Sequence, residues 1–185
     1  MAQVSEERVR LRAVTEADLP DYVRWLNDPE VTRFISVEAG TITLGGEREW
    51  LARVSDPNRA GRTWAIEAEG RHIGNCALHV DESGKNAGFG IHIGDKTAWG
   101  KGYGAATVRE VLRIGFEEWG LHRIHLTAFA ENARAIRCYE KCGFRHEGLR
   151  RKAVLKSGEW HDDVLMAILR EEWEHIEKRA KESKR

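Results

Sequence analysis

The chain has 185 residues, enough for one domain with a full-sized core. Its 30 Lys and Arg balance 30 Asp and Glu, so no overall field favours nucleic acid or an anionic membrane surface, and no apolar run reaches the ~20 residues of a membrane span. An N-terminus without an apolar leader core, and only 3 cysteines (Cys76, Cys138 and Cys142), point to a cytoplasmic protein with reduced thiols and no disulfide framework.

The first strand is predicted over 8–14, where Val9, Leu11 and Ala13 share one face. Thr15 then caps a helix, with Asp18 as its acidic partner three residues on and Leu19, Tyr22, Val23 and Leu26 as its apolar stripe. Asn27-Asp28-Pro29 ends that helix, and Pro29 opens a shorter one through Phe34. A Gly- and Thr-rich loop over 38–46 precedes a helix over 47–54, and a second loop covers 56–61. Three strands joined by short turns follow, over 63–68, 72–80 and 88–93, and read as an antiparallel meander.

Trp99-Gly100-Lys101-Gly102-Tyr103-Gly104-Ala105-Ala106 lies between that last strand and a helix predicted over 105–119, which Gly120 stops. A strand that turns through glycines into a helix presents backbone N–H groups at the positive end of the helix dipole, which suits an anionic group such as phosphate. The turn lacks the Gly-Lys-Ser/Thr ending of a phosphate-loop nucleotidase. A strand over 123–129 follows, so that strand, helix and strand favour a parallel pair with a right-handed crossover. Asn132 caps a helix through Cys142, and Gly143 stops it. Two more strands span 144–155 and 159–169, and the charged tail over 170–185 is helix-prone. The whole chain reads as one mixed α/β domain.

This order of elements, the glycine turn at 99–106 and the segment Asn132-Ala133-Arg134-Ala135-Ile136-Arg137-Cys138-Tyr139-Glu140-Lys141-Cys142-Gly143-Phe144 together resemble the GCN5-related N-acetyltransferase (GNAT) family. Residues 11–18, 25–31 and 158–163 are similar to its RimJ/RimL-like branch, which acetylates the N-termini of ribosomal proteins, and the last of them also suits the polyamine and aminoglycoside acetyltransferases. The resemblance implies a twisted, mostly antiparallel sheet of about six or seven strands, with a splayed central parallel pair and helices on both faces. It also implies acetyl-CoA as co-substrate without a metal, a primary amine as acceptor, and a homodimer through the late strands or the C-terminal helix.

On that resemblance the acetyl-CoA pyrophosphate sits on the amides of Gly100, Lys101, Gly102, Tyr103, Gly104 and Ala105, flanked by Ile93 and Trp99, where Trp99 stands in place of the family's usual Gln or Arg. Asn132 joins the set as the residue that bonds the pantetheine, although its capping role competes for the same side chain. Tyr139 is the expected general acid. The thiolate of CoA, whose conjugate thiol has pKa near 8.5, leaves with help from a phenol near pKa 10.

The general base is open, because the position where many family members carry Glu holds Gly88. His92 on the same strand and His79 on the preceding one are the candidates, and a neutral imidazole can act directly or through water. Glu30 and Asp28 are the candidates to line the amine pocket. An α-amine near pKa 8 is about one-tenth neutral at pH 7, against about one molecule in 2,500 for an amine near 10.4, so a weak base suits an α-amine. A polyamine or aminoglycoside would instead need an acidic pocket, for which Glu30, Glu38, Glu47, Asp162 and Asp163 are available. The absence of the Glu also leaves room for an acyl-CoA-binding domain with no catalysis.

Overall fold

The computed structural model describes residues 9–37 and 39–183. Its strands are β1 (Val9–Ala13), β2 (Gly61–Ala68), β3 (Arg71–Val80), β4 (Asn86–Ile93), β5 (Arg123–Phe129), β6 (Arg145–Lys156) and β7 (Glu159–Leu169). The helices are α1 (Leu19–Leu26), α2 (Pro29–Thr32), α3 (Leu44–Val54), α4 (Tyr103–Arg113), α5 (Ala133–Lys141) and α6 (Arg170–Glu182). All seven strands join one sheet in the order β1-β2-β3-β4-β5-β7-β6.

Every pairing is antiparallel except that of β4 with β5. The parallel register covers only Asn86 with Arg123, Ala87 with Ile124 and Gly88 with His125, although β4 continues to Ile93 and β5 to Phe129. The two central strands therefore part at Gly88 and leave a wedge in the middle of the sheet.

Period-2 alternation decides what each face buries. On one face Leu78, Ala87, Phe89, Ile124 and Leu126 pack with Val108, Val111 and Leu112 of α4, all of them buried. The opposite face meets Leu19, Tyr22 and Trp25 of α1, a smaller core that also holds Val31 and packs against Trp50. Asp18 fixes where α1 begins: its carboxylate accepts from the Thr15 N–H at 2.8 Å, the Thr15 hydroxyl at 3.0 Å and Arg12 at 2.7 and 2.8 Å. The turn Glu16–Asp18 between them is 3-10 rather than α-helical.

Three helix boundaries differ from the sequence expectation, the first being α2, which ends at Thr32 rather than reaching Phe34. Helix α3 starts at Leu44, inside the expected loop, because the Thr43 hydroxyl accepts the Gly46 N–H at 3.2 Å and so caps a Gly-Gly first turn. Helix α4 starts at Tyr103 and gives way to a π-turn at Ile114–Glu118. There Gly115 lies against the sheet so closely that a Cβ would sit 2.6 Å from Ile124 Cδ1.

Candidate active site

The glycine turn lies at the open end of the wedge. Gly100 and Gly102 have φ of +76° and +85°, a region where a side chain strains the backbone. Gly102 is the N-cap of α4, so the turn delivers the chain directly into the helix. An α-helix has no acceptors of its own for its opening amides, and its dipole makes that end positive. At both Gly100 and Gly104 a Cβ would meet nothing within 4 Å, so the turn presents the open surface that an anion at a helix N-terminus needs. Tyr103 turns its side chain away from that surface, into the core, where its hydroxyl donates to Glu69 Oε1 at 2.5 Å.

Trp99 closes the turn at its other end. Its indole N–H donates to the Ile93 carbonyl at 2.8 Å, and the Arg134 guanidinium lies over its ring, 4.7 Å from the centroid. Arg134 belongs to the first turn of α5, so Trp99 connects the end of β4 to the second motif. Cys142, just past α5, makes another connection by donating its thiol to the Ala105 carbonyl at 3.7 Å.

Asn132 caps α5: its Oδ1 accepts the Ala135 N–H at 3.2 Å. Capping uses only the carboxamide oxygen, and the amino group is a separate donor. One side chain can therefore cap the helix and still offer a hydrogen bond to a ligand. Tyr139 lies on the buried side of α5, edge-on to Phe89 of β4 with centroids 6.5 Å apart. Burial lifts its phenol well above the ordinary tyrosine range, so it stays protonated at neutral pH.

A second opening, a cavity of 360 Å³, lies on the opposite face of the sheet. Ala77 and Gly90 floor it, and Phe34, Ile35 and Ser36 wall it on the N-terminal side. Its polar lining includes Arg59, Thr63, Asn75, His79, His92, Thr127 and Asp163. Lys156 at the end of β6 donates to the carbonyls of Ile35 at 2.7 Å and Val37 at 2.6 Å, which ties the β6–β7 hairpin to the segment after α2.

Both predicted histidines line this cavity. Arg59 Nη2 lies 2.8 Å from His79 Nδ1, and a guanidinium can only donate. The neutral His79 ring therefore carries its proton on Nε2. Burial and then Arg59 hold its pKa below the usual histidine value. His92 Nε2 is sealed from solvent without a hydrogen-bond partner among the described residues. Burial, with a contribution from His72, pushes its pKa down to about 4.

The acidic candidates do not converge. Glu30 and Asp28 share Lys96, at 2.9 and 2.7 Å, and neither is among the residues around the cavity. Asp162 accepts the Lys152 N–H at 2.8 Å, Glu47 is buried in the first turn of α3, and Glu38 lies outside the described residues. Only Asp163 reaches the cavity, and it is ion-paired with Arg150. Arg59, Asn75 and Thr127 are missed by the sequence reading. Alternation along β3 places Asn75 on the face of His79, which is a usable signal, whereas Arg59 sits in a loop with no period.

Residues 8–145 match the model of the "Acetyltransferase (GNAT) domain" family. The putative ribosomal N-acetyltransferase YdaF of Bacillus subtilis is 31% identical over 68% of this chain and 68% of its own. The L-amino acid N-acetyltransferase AaaT of Escherichia coli is 32% identical over 64% of this chain and 74% of its own. Among solved structures, the spermidine N-acetyltransferase from Vibrio cholerae in complex with CoA and spermine aligns with a TM-score of 0.82 at 25% identity, over 90% of this chain and 98% of that one. With a glycine turn at the mouth of a splayed parallel pair and a family match over most of its length, the chain belongs to the GNAT acetyltransferases and is an acetyl-CoA-dependent N-acetyltransferase.

Proposed function

We propose that the acceptor is a single α-amine, most simply the N-terminus of a protein such as a ribosomal protein, and that it attacks the thioester directly in a ternary complex. The observation that carries this reading is the charge of the cavity. Its one carboxylate among the described residues, Asp163, is paired with Arg150, and Arg59 adds a second cation. A polyamine or an aminoglycoside would bring several positive charges to that lining, at a cost that grows with each charge. An α-amine brings one charge and arrives next to a carbonyl, which the Nε2–H of His79 and the Arg59 guanidinium can hydrogen-bond. The similarity to a putative ribosomal acetyltransferase and to an amino-acid acetyltransferase supports the same choice.

Acetyl-CoA supplies the acyl group when bound. The residues that hold it are the amides of Gly100 to Ala105, with Trp99, Ile93 and Asn132 shaping the approach. Tyr139, protonated at neutral pH, is the donor for the departing thiolate; burial weakens it as an acid, but the same low-polarity surroundings raise the proton affinity of the thiolate. His92 stays neutral in the cavity. With a pKa near 4, it is a poor sink for a proton from an ammonium near pKa 8, a mismatch worth roughly 5 kcal/mol. It lines the cavity as a neutral ring rather than acting as the base.

The likeness to the spermidine enzyme favours a second reading, a polyamine acceptor. Thiol release from acetyl-CoA, measured with peptides starting in Ser or Ala and with spermidine, separates the two. The α-amine reading expects the larger kcat/KM for the peptides, and a larger value for spermidine overturns it.

A further inference from the structure

At the edge of the cavity, next to its lining residue His79, β3, β4 and β5 place His79, Gly88 and His125 side by side. His79 pairs with Gly88 in the antiparallel register, and Gly88 pairs with His125 in the parallel one. Partners in register share a face, so two imidazoles flank a residue with no side chain. The space over Gly88 opens toward His125: a Cβ built there would lie 3.6 Å from His125 Nε2. One step along the strands stand Gly90 and Thr127, both part of the cavity lining. The row also marks the point where the β4–β5 pairing ends and the wedge opens.

The two rings differ in what they can do. His79 has its Nδ1 occupied by Arg59 and turns a donor toward the cavity. His125 Nδ1 is sealed and has no partner among the described residues, so no carboxylate or carbonyl fixes its tautomer. Its Nε2 faces Gly88 across a space that a methyl group would fill in ordinary contact with the ring. The charged groups that act on the ring are Arg123 on its own strand, Glu147 on β6 and Asp81 after β3. Burial and Arg123 lower its pKa, against Glu147 and Asp81, and keep it unprotonated at neutral pH.

We infer that His125 is the proton acceptor for the incoming ammonium, through a water held over Gly88 between His79 and His125. The ammonium N–H gives its proton to the water, the water passes one to His125 Nε2, and the free amine keeps the electron pair that forms the new C–N bond. The imidazolium then returns its proton to solvent. This inference rests on the acetyl-transfer reading above and adds a residue that the sequence pattern leaves unmarked.

The test compares wild type with His125→Ala and His125→Gln, using the best peptide acceptor from the panel above, between pH 7 and 9.5. At pH 7, where about one-tenth of the α-amine is already neutral, both variants are expected to lose up to about tenfold in kcat/KM. At pH 9.5, where the α-amine is already neutral, the loss closes to within about threefold. Adding Gly88→Glu to His125→Ala puts a carboxylate into the same space and regains at least about threefold at pH 7. Support requires both results. Unchanged activity in the His125 variants, a loss of equal size at both pH values in whichever variant folds, or no recovery with Gly88→Glu overturns the inference. A wild type that acetylates no amine in the panel overturns the acetyl-transfer reading itself, a distinct result.

Discussion

The indole N–H of Trp99 donates to the carbonyl of Ile93 at 2.8 Å, so the side chain that opens the cofactor turn is anchored to the last residue of β4. The bond and the Arg134 stack on the same ring together orient the turn relative to the wedge. Trp99→Ala removes both, at about 1 kcal/mol each. The KM for acetyl-CoA is expected to rise about tenfold or more while kcat falls far less. Steady-state kinetics at saturating acceptor checks this, and an unchanged KM refutes it.

The glycines of the turn separate strain from space. Gly102→Ala forces a side chain into φ +85° and is expected to lower stability by about 1–2 kcal/mol as well as cofactor affinity. Gly104 has no positive φ and lies inside α4, so Gly104→Ala stabilises the helix by about 0.5–1 kcal/mol. Its new methyl, however, enters the open surface proposed to hold the diphosphate. Thermal unfolding and acetyl-CoA titration calorimetry should thus give opposite signs for Gly104→Ala. Tighter acetyl-CoA binding in that variant would remove the turn as the anion site.

Tyr139→Phe keeps the packing against Phe89 and Phe144 and deletes only the hydroxyl. The kcat is expected to fall about a hundredfold with acetyl-CoA affinity unchanged. Because burial lifts the phenol above its ordinary range, the wild-type rate should not decline between pH 8 and 10 through loss of this proton. Stopped-assay pH profiles of both proteins read this out.

Asp18 ties stability to pH. Burial alone would raise its pKa, but bonds from Arg12 and Thr15 outweigh burial and lower it from 3.8 to about 2. A lowered folded-state pKa contributes stability that is present above the unfolded value and lost as pH falls from about 4 through about 2. The contribution is roughly 2–3 kcal/mol. Urea unfolding at pH 6 and pH 2.5 should show that loss in wild type and little of it in Asp18→Asn.

Local chemistry made much of the fold readable. The Thr15–Asp18 pair, the Asn132 cap and the short turns of the β2–β4 meander each depend on neighbours within a few residues. The glycine turn could be read for the same reason. What stayed hidden depends on distant pairing. Glu30 is taken by Lys96, Asp163 by Arg150, and His125 faces Gly88 only because two strands adjoin in parallel across α4. Period-2 alternation gives each strand its faces but not its neighbours or its register offset.

Lys156 has a consequence for how the cavity forms. Its two bonds to Ile35 and Val37 join segments 121 and 119 residues apart, among the longest sequence separations in the molecule. Such loops close late, because chain entropy opposes them until the intervening sheet exists. During synthesis the glycine turn and α4 emerge well before β6, so the acyl-donor side has its parts on hand while the acceptor cavity still lacks a wall. A nascent chain stalled just short of Lys156 would hold the glycine turn, α4 and α5 but not the bonds that wall the acceptor cavity.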